Sequence, residues 1–210
     1  MGDCCTNAGC EIEKLRERQR ATLKAVLAIN AGMFAVEVAA GLLAGSTALL
    51  ADSLDMLGDA LVYGFSLYVV ARNDAWKAAS ALAKGTVMGL FGVFVLAQAG
   101  YKFLHPEVPQ FEAMGLVGIA ALAANSACLA LLWRHRAEDV NMRSVWLCSR
   151  NDIIANLSVL FAALGVWLIG SQWPDLLVGL GIAALFLRSA YHVLRDGMAA
   201  YGAYNRSLRG

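Results

Sequence analysis

The stretch Ala51-Asp52-Ser53-Leu54-Asp55-Met56-Leu57-Gly58-Asp59 sets three carboxylates inside a segment, Ser46 to Ala71, that is otherwise apolar. The segment is long enough to cross a bilayer, which takes about 20 helical residues. A charge near the centre of such a helix costs roughly 2.5–3.5 kcal/mol even on a lenient insertion scale. Acids persist there when they face a cavity and hold something. Asp55 and Asp59 are four residues apart, so a helix puts them on one face, a turn from each other. Asp52 falls on the same stripe, a turn earlier.

A second stretch answers the first. Cys148-Ser149-Arg150-Asn151-Asp152-Ile153-Ile154-Ala155-Asn156 opens another apolar run. Cys148 and Asp152 repeat the four-residue spacing, and Asn156 extends the stripe by one more turn. Two facing helices, each offering a one-turn pair, can place four donor atoms around one divalent ion.

The rest of the chain reads outward from these two helices. Of its 210 residues, 59% are hydrophobic and only 16% charged, which is too apolar for a soluble domain and implies a polytopic membrane protein. A net charge of +1 gives no case for nucleic-acid binding. The first 22 residues are polar and lack the apolar core of a cleavable signal. The five cysteines (Cys4, Cys5, Cys10, Cys128 and Cys148) are odd in number and clustered at one end, a poor disulfide framework. Reduced thiols on the cytoplasmic side fit better.

The expected fold is an all-α membrane protein, a bundle of six transmembrane helices with both termini cytoplasmic. Residues 1–22 form a polar, Cys-containing cytoplasmic segment, in which Glu11 to Arg20 reads as a solvated or interfacial helix. The transmembrane domain covers 23–195, and a short cytoplasmic tail follows over 196–210. The spans are about Leu23–Leu43, Ser46–Ala71, Ala81–Leu104, Ala113–Trp133, Ser144–Gly170 and Leu176–Leu194. Gly41 to Gly45 reads as a short turn or tight packing site, Arg72 to Lys77 as a polar loop, and Arg134 to Arg143 as the longest polar connection. His105 to Pro109 is a loop, because its two prolines cannot continue a helix. Ser171 to Asp175 is a tight turn. Of the 17 Lys and Arg, only Lys102 falls in or beside the three loops on the far side, a positive-inside pattern. Short loops imply antiparallel neighbours. Gly41, Gly45, Gly179 and Gly181 supply small surfaces for close helix contact.

Asp55, Asp59, Cys148 and Asp152 would offer three oxygen donors and one sulfur. Four-coordination by Cys and carboxylate suits Zn2+, and a thiolate extends the range toward softer ions such as Cd2+. Calcium and magnesium want more oxygens and no sulfur. Fully ionised, the four groups sum to −4 against the +2 of a divalent ion. Without metal the cluster cannot all stay charged in a low dielectric, so some members carry protons, which metal expels. A site that holds either metal or protons is what an exchanger needs. Asp52 is expected behind the ligands or near the outer mouth, with direct ligation as the third alternative, and Asn156 as a second supporting group. Asn156 and Asn125 read as interhelical hydrogen-bonders. Glu37, inside the first span, is either an acid buried in packing or one lining a cavity. Cys4, Cys5 and Cys10 read either as a thiol cluster that captures metal or as incidental residues of a polar tail. His105, His135 and His192 are scattered, and none is assigned a metal.

Gly45-Ser46-Thr47-Ala48-Leu49-Leu50-Ala51-Asp52-Ser53-Leu54-Asp55 and onward to Asp59 resembles the second-helix signature of the cation diffusion facilitator transporters. Lys77-Ala78, the His105-Pro106 turn, Asp152 to Asn156, and Trp173 to Asp175 resemble the flanks of that family's later helices, so the likeness covers roughly residues 20–195. It implies a six-helix unit, a homodimer, and export of zinc or similar ions by alternating access coupled to protons. By position, Asp55 and Asp59 match the second-helix pair, Asp152 the fifth-helix acid, and Cys148 the place usually held by His or Asp. The sequence departs from the family at Cys148, which favours a softer ion. It departs again at Trp76-Lys77-Ala78, where a Gly-His-rich stretch is usual. The usual cytoplasmic metal-sensing domain is also expected to be missing, leaving dimer contacts to the membrane helices.

The expected function is a proton-coupled antiporter in the cell (inner) membrane, multi-pass, exporting Zn2+ and Cd2+ from the cytoplasm. It is not an enzyme and has no cofactor beyond the transported ion. Its partners are the metal, protons, the lipid bilayer and a second copy of the chain. One rival is an intramembrane metalloenzyme, which would want His ligands, a general base and an open coordination position. The other is a membrane-anchored metal-binding adaptor, in which the Cys segment matters and the bundle only anchors.

Overall fold

The structure is a computed structural model. It describes the backbone of residues 4–69, 74–133 and 140–207, and side chains over 20–61, 63–64, 82–83, 85–133, 152–195 and 197–199. Among the described residues there are six α-helices and no strands: α1 (Cys4–Ala44), α2 (Thr47–Val69), α3 (Asp74–Leu104), α4 (Phe111–Trp133), α5 (Val140–Ile169) and α6 (Trp173–Ser207). Helices α1, α3, α4, α5 and α6 each contain a stretch long and apolar enough to cross a membrane. α2 has the length, at 23 residues, but carries three carboxylates. It is tolerated because α1, α3, α5 and α6 pack around it. Ala48 to Leu54 are all buried. The apolar residues left exposed, such as Leu43, Leu90, Leu116, Phe161 and Leu185, sit on outward faces suited to lipid.

Close contacts fix the directions. Gly41 meets Leu50 and Gly64 meets Leu27, so α1 and α2 are antiparallel. Gly85 meets Leu194 and Gly92 meets Leu187, so α3 and α6 are antiparallel as well. α2 and α6 run parallel, with Gly179 against Thr47 and Gly58 against Phe186. At Gly179 a Cβ would lie 2.7 Å from the Thr47 main chain, so only glycine allows that approach. Gly181, by contrast, is exposed, and a Cβ there would meet nothing within 4 Å, so no close helix approach within the described residues depends on it.

The helices outrun the expected spans at their polar ends. α1 continues unbroken from Cys4, because residues 11–22 contain neither Pro nor Gly. Asp74 to Lys77, expected as loop, form the first turn of α3. Val140 to Arg143 belong to α5, and the tail is helical to Ser207. Trp173 to Asp175 open α6 instead of forming a turn, with Pro174 at a position where its fixed φ suits a helix start. The chain reverses just before, at Gly170, with φ +64. The first reversal is equally compact. Gly45, at φ +61, ends α1 in a conformation that favours glycine, and Ser46 directly precedes the first residue of α2, Thr47.

Two apolar layers result. The larger gathers Ala48 to Ala51 and Leu54 of α2 with Val95, Met114, Val159, Val166 and Ile182. The smaller joins Val26, Tyr63, Cys128 and Leu132. Along α2 the acids Asp55 and Asp59 lie between Leu54 of one layer and Tyr63 of the other.

Candidate metal centre

The first turn of α2 is pinned before the acids begin. The Ser46 hydroxyl accepts from the Leu49 amide at 3.1 Å, an N-cap that satisfies one otherwise orphaned donor. Asp175, brought in from α6, takes the rest. It accepts from the Thr47 amide (2.8 Å), the Ala48 amide (3.0 Å) and the Ser46 hydroxyl (2.5 Å). Lys102 Nζ lies 4.0 Å from the same carboxylate. The negative group sits on the positive end of the α2 dipole. This arrangement fixes the height and rotation of the helix that carries the candidate donors.

Two turns further along, Asp55 and Asp59 are half-buried. Asp152 of α5 is buried, and its side chain hydrogen-bonds that of Asp55 across the two helices. Asp152 Oδ2 is buried with no partner, so it is available to a ligand. Asp59 Oδ2 accepts from the Tyr63 hydroxyl at 2.8 Å. Tyr63 is 1% exposed, its ring held in the smaller apolar layer. Cys128 shares that layer, its sulfur 3.7 Å from Asn30 Nδ2. Neither Tyr63 nor Cys128 stood out in the sequence as a neighbour of the acids. The only signal was the four-residue step from Asp59 to Tyr63.

The structure therefore brings together Asp55, Asp59 and Asp152 of the expected donors. Cys148 falls one turn before Asp152 on α5, but its side chain lies outside the described residues. The same holds for Cys4, Cys5 and Cys10 at the start of α1. Among the described residues, no three His, Cys, Asp or Glu side chains converge tightly enough to hold a metal. The three acids as they stand are a paired Asp55 and Asp152 with Asp59 turned to Tyr63. Asn156 does not bond between helices: its Nδ2 donates to the Asp152 carbonyl on its own helix at 2.8 Å, leaving Oδ1 buried without a partner. An i−4 carbonyl is simply the nearest acceptor. Asn125 is buried with an unpartnered Nδ2. Asp52 and Glu37 are both wholly buried, and none of their four carboxyl oxygens has a partner. His105 and His192 are exposed and away from the acids, and His135 lies outside the described residues.

Comparison with known proteins agrees with this architecture. The model of the cation efflux transmembrane domain matches residues 23–200. A cadmium, cobalt and zinc/H(+)-K(+) antiporter of Bacillus velezensis is 26% identical over 181 residues, which is 80% of this chain and 58% of that protein. Zinc transporter ZitB of Escherichia coli is 28% identical over 184 residues, 81% of this chain and 58% of the relative. Metal cation efflux system protein CzcD of Cupriavidus metallidurans is 26% identical over 198 residues, 84% of this chain and 62% of the relative. The chain thus spans about three-fifths of the length of these relatives. With the domain match running through all six helices, this multi-pass membrane protein belongs to the cation efflux family.

Proposed function

We infer that the chain is a transporter, not an enzyme, which moves divalent transition-metal ions out of the cytoplasm across the cell (inner) membrane. Zinc is the primary substrate and cadmium a second one, in exchange for protons. The observation that carries this reading is the pairing of Asp55 with Asp152 across two helices, with Asp59 a turn away, between two apolar layers. Two carboxyl groups bond each other only through a proton. A divalent ion arriving at the same oxygens displaces it, which is the elementary event of exchange. Cys148, by its place on α5, would complete the donor set with a thiolate. The names of the relatives, which include zinc and cadmium transport and H(+) antiport, support the same substrates. The strong bias of Lys and Arg to one end supports cytoplasmic termini. Residues 1–22 and 196–210 would then flank a transmembrane unit on that side. Cys4, Cys5 and Cys10 would be placed there to capture metal, and a homodimer would form through membrane helices.

The test is metal uptake into proteoliposomes. Wild-type protein should take up zinc and cadmium faster when a proton gradient opposes the metal. Cys148→Ser should lower cadmium uptake at least about tenfold more than zinc uptake, because cadmium gains more from sulfur. Flux indifferent to the gradient removes the exchange reading, and equal loss for both metals removes the role of sulfur.

Tyr63 supplies a second handle. Its hydroxyl occupies an oxygen of Asp59 that a metal would use. A hydrogen bond to a charged group is worth about 1.5–3 kcal/mol. Tyr63→Phe should therefore tighten zinc binding about tenfold, measured by titration calorimetry on purified protein. Weaker binding would mean that the hydroxyl orients the carboxylate for metal instead of competing with it.

A further inference from the structure

Asp52 and Glu37 have no role in the donor set, yet they are among the most deeply buried groups of the molecule. Both are 0% exposed, and all four of their carboxyl oxygens lack partners. They face each other across α1 and α2. The antiparallel register that puts Gly41 on Leu50 and Leu27 on Gly64 brings Glu37 level with the turn from Asp52 to Asp55. Of the acids that bear on Glu37, Asp52 does so most strongly and Asp55 next. Asp52 precedes Asp55 by three residues, about 4.5 Å along the helix axis, toward the end of α2 held by Asp175.

Among the described residues, no cation serves this pair. Lys102 is committed beside Asp175, at the N-terminus of α2. Val95 of α3 and Ala183 of α6 share the buried apolar layer of Ala51 and Leu54 that flanks Asp52, and neither is ionisable. The other ionisable groups that act on the pair are acids, Asp55 and Asp152. A buried carboxylate with neither hydrogen bond nor counter-charge is among the costliest groups a fold can hold. Intramembrane acids of this kind bind something.

We propose that Glu37 and Asp52 form a second cation site, apart from the metal donors, which holds the monovalent counter-cation exchanged for metal. The occupant is a bare cation, either a proton carried on one of the two carboxyls or a dehydrated alkali ion. Because the pair lies outward of Asp55 along α2, a cation entering from the far side meets it before reaching the metal donors. Cation at the pair and metal at Asp55 and Asp152 repel each other across one helical turn, so filling one site favours emptying the other. This inference rests on the exchange reading above and assigns it a separate place for the counter-ion.

The test uses the full chain in proteoliposomes, with zinc uptake driven in one arm by a proton gradient and in the other by a potassium gradient. Whichever gradient accelerates the wild type identifies the cation. Glu37→Gln and Asp52→Asn should each lose that acceleration at least about tenfold while retaining downhill zinc uptake, and Glu37→Asp should recover part of it. Zinc affinity of Glu37→Gln should stay within about threefold of wild type by calorimetry, which also reports that the protein is folded. Should Glu37→Gln not fold, Asp52→Asn on the other helix carries the test. Variants accelerated as strongly as wild type overturn the inference and leave the exchange reading standing. Loss of zinc binding in Glu37→Gln also overturns it, since the pair would then belong to the metal donors. A wild type indifferent to both gradients removes the exchange reading and this inference together.

Discussion

Asp175→Ala is expected to destabilise the bundle by about 3–5 kcal/mol, the usual result of removing one partner from a buried charged network. The carboxylate is 1% exposed and accepts two amides and one hydroxyl. Removing it orphans the Thr47 and Ala48 amides in an environment without water, and each hydrogen bond to a charged group is worth about 1.5–3 kcal/mol. It also takes from the Lys102 ammonium the nearer of its two acidic neighbours, leaving Glu107. The thermal midpoint of the purified protein, followed by loss of the monodisperse peak, should fall by roughly 10 °C. Asp175→Asn keeps the shape and one acceptor but not the charge, so it should lie between. Lys102→Met added to Asp175→Ala should recover part of the loss by removing the cation whose nearer partner is gone. A midpoint for Asp175→Ala within about 2 °C of wild type would mean that packing alone, through contacts such as Gly179 on Thr47, holds α2 in place.

This cap also shows what the sequence could and could not give. Gly45-Ser46 is legible as a helix end followed by a helix start, since a glycine in the left-handed region and a serine N-cap each leave a compositional mark. That Asp175, 129 positions away, completes the cap is a property of how α6 packs beside α2, and no local pattern encodes it. The helix count was legible for a similar reason. Long apolar runs broken by His105 to Pro109 and by Gly170 to Pro174 admit few other readings. The helix ends were not, because hydropathy reports where the bilayer lies and not where the hydrogen-bond ladder stops. Asp74 to Lys77, Val140 to Arg143 and Arg195 to Ser207 carry charges yet are helical, continuing ladders already nucleated in the spans.

The candidate site divides along the same line. The i, i+4 spacing of Asp55 and Asp59 declares a shared face, and the structure sets that face toward Asp152. Two neighbours of that face, Glu37 and Tyr63, are poorly marked in the sequence. Glu37 sits on a different helix with no companion acid near it in sequence. Tyr63 follows Asp59 by one turn in a segment where an aromatic residue is unremarkable. Their roles follow only from which atoms have partners: the Tyr63 hydroxyl has one, and the Glu37 oxygens have none.

Asp59→Ala is expected to separate function from stability in the opposite way to Asp175→Ala. Asp59 is half-buried, and its carboxylate accepts from Tyr63 of the smaller apolar layer described above. Its removal deletes one of three acids gathered within about a turn of α2, relieving like-charge repulsion as it removes a hydrogen bond. The thermal midpoint should therefore stay within a few degrees of wild type, or rise, as is common when an acid held for function is deleted. Zinc uptake should fall at least about 100-fold, more than the loss usually seen when only a supporting group around a metal is changed. The loss should appear in the affinity measured by calorimetry as well as in flux, because a donor is gone and Asp152 Oδ2 is left to face the ion without it. Asp59→Asn should behave nearly as badly, since it keeps the shape but not the charge that holds a dication. The adaptor reading expects the reverse: silence at Asp59 and loss of function when residues 1–22 are deleted. A protein with Asp59→Ala that still transports zinc at the wild-type rate would remove the acids of α2 from the ion's path, and the pairing of Asp55 with Asp152 would then be a feature of packing alone.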